Sequence, residues 1–176
     1  HKLLVVAESN YFEDELEEKS VFKDAEKWYH GENCPLIPEE KKEHVKSWIG
    51  EGYPIFNNLF KSMKTVLNES NIKYDPYLLE EFAFYKNYFL RPASRKGGNL
   101  SFKKDCKQID RDVAGVALCG IIDVIKPDIL IFTSKYAWEE FSRYYQNANL
   151  VFENTKIEFV YHPSRHFSWN HRNGFG

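Results

Sequence analysis

The sequence predicts an α/β fold, in which helices pack on a mainly parallel sheet of four strands. Strand-like apolar segments alternate along the chain with segments that have helical spacing, which is the order typical of such folds. The chain has 176 residues, enough for one domain with a sizeable core, and no repeat or linker divides residues 1–176. The four predicted strands lie at residues 3–7, 82–89, 128–134 and 156–162.

The first and third of these strands are the clearest. LLVVA at 3–7 is short, branched and apolar, and it ends at the polar turn ESN. DILIFTS at 128–134 follows Lys126-Pro127, a pair that ends the preceding helix. Neither strand alternates apolar and polar residues, because strands of a parallel sheet are covered on both faces.

Helices are predicted between the strands. The longest runs from about residue 105 to residue 124. Its apolar stripe, the face that a helix turns toward the core, is predicted to be Ile109, Val113, Val116, Ala117, Ile121 and Val124. The others are predicted at residues 14–29, at 38–48, around the series Ile55, Leu59, Met63 and Val66, and at 136–145.

Composition excludes several classes of protein. Three scattered cysteines without a CxxC pair argue against a zinc cluster or a disulfide framework and indicate a reducing compartment. The longest apolar runs are about five to seven residues, too short to cross a membrane, and the sequence predicts no cleavable signal. No GxSxG, P-loop or GxGxxG is present. The expected location is therefore the cytoplasm, or the nucleoid or nucleus if the protein acts on DNA.

Charge is distributed unevenly. The net charge of −2 gives no global bias toward nucleic acid, and residues 13–18 hold five acids. Residues 91–107, in contrast, hold six basic residues against Asp105 alone, and the tail adds Arg165 and Arg172. Each charge run is consistent with a solvated face, and the basic ones also with a phosphate-binding surface.

Polar side chains stand where the predicted strands end. Glu8-Ser9-Asn10 follows the first strand, Asn87 lies near the end of the second, and His162-Pro163-Ser164 follows the fourth. Ligands of open parallel sheets bind outside these carboxyl ends. Thr133-Ser134 ends the third strand in the same way. The sequence therefore predicts one ligand site at this edge.

Each of these residues has a functional and a structural interpretation. Glu8 can position a water, or it can cap a turn by accepting backbone N–H groups. Asn87 can donate to and accept from a base edge, or it can bond to backbone at the end of the sheet. His162 can donate to an oxyanion, or it can cap a loop.

A metal interpretation of the tail is disfavoured. His162 and His166 are four residues apart, but Pro163 disfavours a helix that would pair them as ligands, and no acidic ligand is close in sequence. No metal site and no cofactor are therefore predicted.

These strand ends, in this order, resemble the uracil-DNA glycosylase superfamily. AESNYF at 7–12 is similar to its first motif (GQDPYH, GEAPG or GINPG), YKNYFLRP at 85–92 to the strand with the base-reading asparagine, and YHPSRHFSW at 161–169 to its late HPS motif. KPDILIFTSKYAWEEF at 126–141 resembles the strand-helix step before that motif. The resemblance covers nearly the whole chain and implies a three-layer α/β/α sandwich.

The resemblance also implies residue roles. Glu8, His162 and Asn10 become catalytic residues: Glu8 orients the water or stabilises the cationic sugar, and His162 donates to the uracil O2. Asn87, Tyr11 and Phe12 become substrate-binding residues, for reading the base, excluding a thymine methyl and stacking. DNA contacts are expected from Ser164, Arg165, His166, Arg91, Arg95 and Lys96. The partner is then single- or double-stranded DNA, without a membrane, and the protein is expected to act as a monomer.

Departures from the family motifs leave alternatives open. Ala7 stands for the first glycine, Asn10 for the proline, Ser9 at the aspartate position of GQDPYH, and Arg165 for the proline after HPS. A catalytically silent relative that binds nucleic acid, a nucleotide or a protein is the first alternative. The second places the acidic segment 13–18 at a protein interface.

Overall fold

The computed structural model describes residues 2–9, 25–30, 54–71, 73, 83–93 and 102–161, with residues 54–56 and 83–86 described by their backbone alone. The elements in chain order are β1 (Leu3–Ala7), α1 (Ala25–Tyr29), α2 (Pro54–Glu69), β2 (Ala83–Asn87), a 3-10 turn (Phe102–Lys104), α3 (Gln108–Ile125), β3 (Ile129–Phe132), α4 (Lys135–Asn147) and β4 (Lys156–Phe159).

The described strands form one sheet in the order β2-β1-β3-β4, and all three pairings are parallel. Ala7 pairs with Asn87, Val6 with Phe132, and Phe132 with Phe159. Because the strands are parallel, their carboxyl ends share one side of the sheet, which we call the carboxyl edge. These pairings confirm the predicted α/β class with a parallel sheet.

β1 lies inside the sheet and is buried along its whole length. Leu4 and Val6 on one face belong to a core cluster that also contains Phe132 of β3, Leu118 of α3 and Phe141 of α4. Val5, on the other face, is 2% exposed. Burial on both faces explains why LLVVA does not alternate, since each apolar side chain that leaves water stabilises the fold by about 1.5–3 kcal/mol.

The prediction for the buried face of α3 is wrong in part. The buried residues are Asp110, Ala114, Gly115, Leu118 and Ile122. Val116 and Val124 of the predicted stripe are 63% and 83% exposed, and its other members are half-buried. The helix is apolar on nearly all sides, so its periodicity does not determine which face meets the sheet.

None of the helices in the described ranges combines the length and apolar character needed to cross a membrane.

The observed bounds differ from the predicted ones by a few residues. α3 begins at Gln108 because the Asp110 carboxylate accepts the Lys107 N–H at 2.7 Å, and it ends where Lys126 takes a left-handed φ of 49°. β4 ends at Phe159, before the predicted His162. Of the predicted helices, residues 14–24 and 38–48 lie outside the described residues.

Two glycines of α3 provide a matched test of the α3–α4 packing. A Cβ on Gly115 would come closer than 3.0 Å to the Tyr144 ring of α4, whereas a Cβ on Gly120 would meet nothing within 4 Å. We expect Gly115→Ala to lower the free energy of unfolding by about 1–3 kcal/mol through overpacking. Gly120→Ala is expected to raise it by about 0.5–1 kcal/mol, because alanine favours the helix. Urea denaturation measures both, and equal stability of the two variants would contradict the packing.

Candidate functional site

Three polar residues flagged by the sequence lie at the carboxyl edge. Glu8 directly follows β1, Asn87 is the last residue of β2, and Ser134 lies two residues after β3. The strand order places β1 between β2 and β3, so Glu8 lies between the other two along the edge. The ladder continues here, because Phe89 donates its N–H to the Glu8 carbonyl at 2.9 Å.

Two donors from the described part of the chain bind the Glu8 carboxylate. Its Oε1 accepts the backbone N–H of Phe102 at 2.6 Å, and its Oε2 accepts the Ser134 hydroxyl at 2.5 Å. Ser134 Oγ in turn accepts the Ala137 N–H at 3.3 Å and so caps α4. Because one donor binds each carboxylate oxygen, these two contacts fix the orientation of the carboxylate.

Asn87 stands beside Glu8, but its side chain starts from the other face of the sheet. Paired residues of parallel strands face the same side, and consecutive residues face opposite sides. Asn87 pairs with Ala7, whereas Glu8 is the next residue and turns its carboxylate toward Phe102 and α4. The structure therefore brings the two residues together along the edge and places their side-chain origins on opposite faces.

β4 reaches the same edge, where Val160 donates its N–H to the Phe132 carbonyl at 2.7 Å. The chain is described as far as Tyr161. The remaining predicted site residues lie outside the described residues; they are Asn10, Tyr11, Phe12, Arg95, Lys96, His162, Ser164, Arg165 and His166.

Arg91, which the sequence assigns to DNA contacts, is buried in the structure. Its side chain is 1% exposed, and its guanidinium forms a bidentate pair with Asp110: Nε to Oδ1 at 2.9 Å and Nη2 to Oδ2 at 2.6 Å. A phosphate on a DNA strand does not reach a group that is enclosed in this way. In sequence, Arg91 belongs to a basic run, and only the fold shows that its partner lies 19 residues further along the chain.

Asp110 also accepts hydrogen bonds from residues outside this ion pair. Besides Arg91, it accepts the Tyr29 hydroxyl at 2.7 Å and the Lys107 N–H at 2.7 Å. Burial alone would lower the pKa of Arg91, but the hydrogen bond and charge of Asp110 outweigh it, so the pKa lies above its ordinary value. Burial, followed by the hydrogen bond and charge of Asp110, raises the pKa of Tyr29. The guanidinium and the phenol therefore both stay protonated.

Sequence reasoning did not assign a role to Ser134 or Asp110. For Ser134 a signal existed, because a serine directly before an amphipathic segment is a typical N-cap. Asp110 has the position of an acid in the first turn of a helix, which predicts a cap but not a buried ion pair.

The described thiols do not form a nucleophile or a metal site. Burial raises the pKa of Cys106 to about 11, and burial also raises the pKa of Cys119, which packs against the core. Both thiols are therefore protonated near neutral pH and poorly nucleophilic. Within the described ranges, no group of three or more His, Cys, Asp or Glu residues is arranged to hold a metal ion.

Comparison with known proteins gives no assignment for this site. No protein-family model matches the chain, and no curated protein matches it with significant similarity.

Proposed function

We propose that the protein is a DNA glycosylase that hydrolyses the N-glycosidic bond of uracil or of a related damaged base flipped out of DNA. The observation that supports this most is the Glu8 carboxylate, fixed by the Phe102 N–H and the Ser134 hydroxyl at the carboxyl edge of a parallel sheet, one strand from Asn87. Ligands of such sheets bind at this edge. The proposal includes the three-layer α/β/α fold of the uracil-DNA glycosylase superfamily.

In the proposed reaction, the bond between the base nitrogen and the sugar C1′ breaks, and its electron pair leaves with the base. Glu8 orients a water and stabilises the positive charge that develops on the sugar. The water oxygen then bonds to C1′ and gives its proton to the Glu8 carboxylate, and the departed base anion takes up a proton from solvent. His162 donates to the base oxygen on which negative charge collects, and Asn87 binds the base edge. Asn10 assists Glu8, and no step uses a metal.

Binding residues complete the proposal. Tyr11 shapes the pocket against a thymine methyl, and Phe12 stacks on the flipped base. The DNA backbone is contacted by Ser164, Arg165, His166, Arg95 and Lys96. Arg91 is not among them, because it is buried. The protein acts on single- or double-stranded DNA as a monomer, in the cytoplasm, nucleoid or nucleus.

A second candidate is a catalytically silent relative that binds nucleic acid without cleaving the glycosidic bond. Both Glu8 oxygens are engaged by groups of the protein, and Asn87 starts from the opposite face of the sheet. Under this candidate the two hydrogen bonds make Glu8 a structural residue, and Asn87 takes no part in one site with it.

Base release distinguishes the two candidates. Single- and double-stranded oligonucleotides carrying uracil, hypoxanthine or xanthine are incubated with the protein and then treated with alkali, which cleaves the strand at abasic sites. The wild-type protein is expected to cleave at least one substrate, and Asn87→Ala and His162→Ala are expected to lose about 100-fold or more of the rate. Asn147→Ala and His30→Ala, at exposed positions, serve as matched controls. If the wild-type protein releases no base from any substrate, the glycosylase proposal fails.

A further inference from the structure

We infer that residues 102–107, which we call the basic turn, bind the phosphates of a nucleic-acid strand through Lys103, Lys104 and Lys107. This inference rests on the proposed function, because it assigns the strand-binding surface of the same site. It assigns the DNA contact predicted for the buried Arg91 to three lysines that follow Arg91 in the chain.

The basic turn presents positive charge to solvent. Lys103, Lys104 and Lys107 are all exposed, whereas Phe102, the first residue of the turn, is fully buried in the core. Asp105, which is half-buried, is the only acid in the turn. Three lysines against one acid give the turn a net positive charge, although the net charge of the whole chain is negative. Local clusters of this kind, rather than the total charge, determine where a phosphate strand binds.

Contacts with the core fix the shape of the basic turn. At one end the Phe102 N–H donates to Glu8 at 2.6 Å, and at the other the Lys107 N–H donates to Asp110 at 2.7 Å. Between them, Arg91 Nη2 donates to the Asp105 carbonyl at 2.8 Å, and the guanidinium lies 4.9 Å from the centroid of the Phe102 ring. The lysines therefore project from an ordered backbone, which lowers the entropy cost of binding.

The basic turn lies beside the candidate site. Its first residue donates to Glu8, the proposed catalytic carboxylate. The Lys103 ammonium lies 5.8 Å from the centroid of the Tyr136 ring. Tyr136 belongs to the first turn of α4, and α4 begins at the carboxyl edge. A strand whose base enters this edge has its flanking phosphates within reach of the turn. This location favours a nucleic acid over other anionic partners, such as a lipid surface.

Salt dependence of binding tests the inference. Affinity for single- and double-stranded oligonucleotides without modified bases is measured by fluorescence anisotropy over a series of NaCl concentrations. Each phosphate contact contributes about 0.9 to the slope of log K against log salt for a duplex and about 0.7 for a single strand. This slope is negative, and we expect Lys103→Gln with Lys104→Gln to make it less steep, by about 1.8 for the duplex and about 1.4 for the single strand.

The matched control removes the same charge at the opposite edge of the sheet. Lys126 precedes β3 and Lys156 begins β4, and both are exposed. Lys126→Gln with Lys156→Gln is expected to leave the slope within about 0.5 of the wild-type value, because these lysines contact no phosphate. Thermal unfolding of both double variants verifies that the fold is retained.

The outcomes separate this inference from the glycosylase proposal. Three results each overturn the inference, even if the wild-type protein releases uracil. They are an unchanged slope in the basic-turn variant, an equal change of slope in the control variant, and binding to anionic vesicles in place of DNA. A shallower salt dependence in the basic-turn variant, together with a wild-type protein that releases no base, supports the inference and rejects catalysis.

Discussion

Asp110→Ala is expected to lower the free energy of unfolding by about 3–5 kcal/mol, the cost of removing one partner of a buried ion pair. The substitution leaves the Arg91 guanidinium enclosed at 1% exposure without its carboxylate. The Tyr29 hydroxyl and the Lys107 N–H lose their acceptor at the same time. Urea denaturation measures the change, with the slope of the transition checked for two-state behaviour.

The control for this prediction is Glu139→Ala, which breaks the exposed pair between Lys135 and Glu139 at 3.6 Å. Such surface pairs contribute about 1 kcal/mol or less. A double variant, Arg91→Met with Asp110→Leu, is expected to be more stable than Asp110→Ala, because it leaves no buried charge unpaired. A cost of less than about 1 kcal/mol for Asp110→Ala would show that the pair is not buried as the structure describes.

Glu8→Gln is expected to reduce base release by about 100-fold or more while the protein remains folded. Glutamine is nearly the same size as glutamate, and its carbonyl oxygen can still accept the Phe102 N–H. It lacks the negative charge that the proposed reaction needs beside the developing sugar cation. The loss of the charge-assisted bond from Ser134 is expected to lower the free energy of unfolding by about 1.5–3 kcal/mol. Initial rates of strand cleavage and urea denaturation measure the two effects.

Ser134→Ala provides the comparison that separates chemistry from structure at this position. It removes the same hydrogen bond to Glu8, together with the α4 cap, but it keeps the carboxylate. We expect a stability loss of about 2–5 kcal/mol, because both the bond to the charged Glu8 and the cap are lost, and a much smaller loss of rate than in Glu8→Gln. The rate of base release and the free energy of unfolding are compared for the two variants. If the rate falls only as far as the lost stability explains in both, Glu8 has a structural role and is not a catalytic residue.

Local patterns in the sequence predicted the sheet well. LLVVA and DILIFTS are apolar without alternation, and the structure contains β1 at Leu3–Ala7 and β3 at Ile129–Phe132 for that reason. The placement of Glu8 and Asn87 at one edge followed from the same reasoning, because parallel strands bring their carboxyl ends together. Such predictions depend on short segments whose composition already reflects the surroundings of the strand.

Only the tertiary structure decided which members of a pattern are buried. α3 is apolar on nearly all sides, so its valines at 116 and 124 fitted a core stripe equally well, and packing against α4 left them exposed. Arg91 belongs to a basic run in sequence, but in the fold it is buried and forms an ion pair with Asp110. The Glu8 carboxylate accepts hydrogen bonds from residues 94 and 126 positions away. The sequence determined where strands form and which polar groups end them, whereas long-range packing decided which charges are buried and which meet solvent, because burial depends on partners that are distant in the chain.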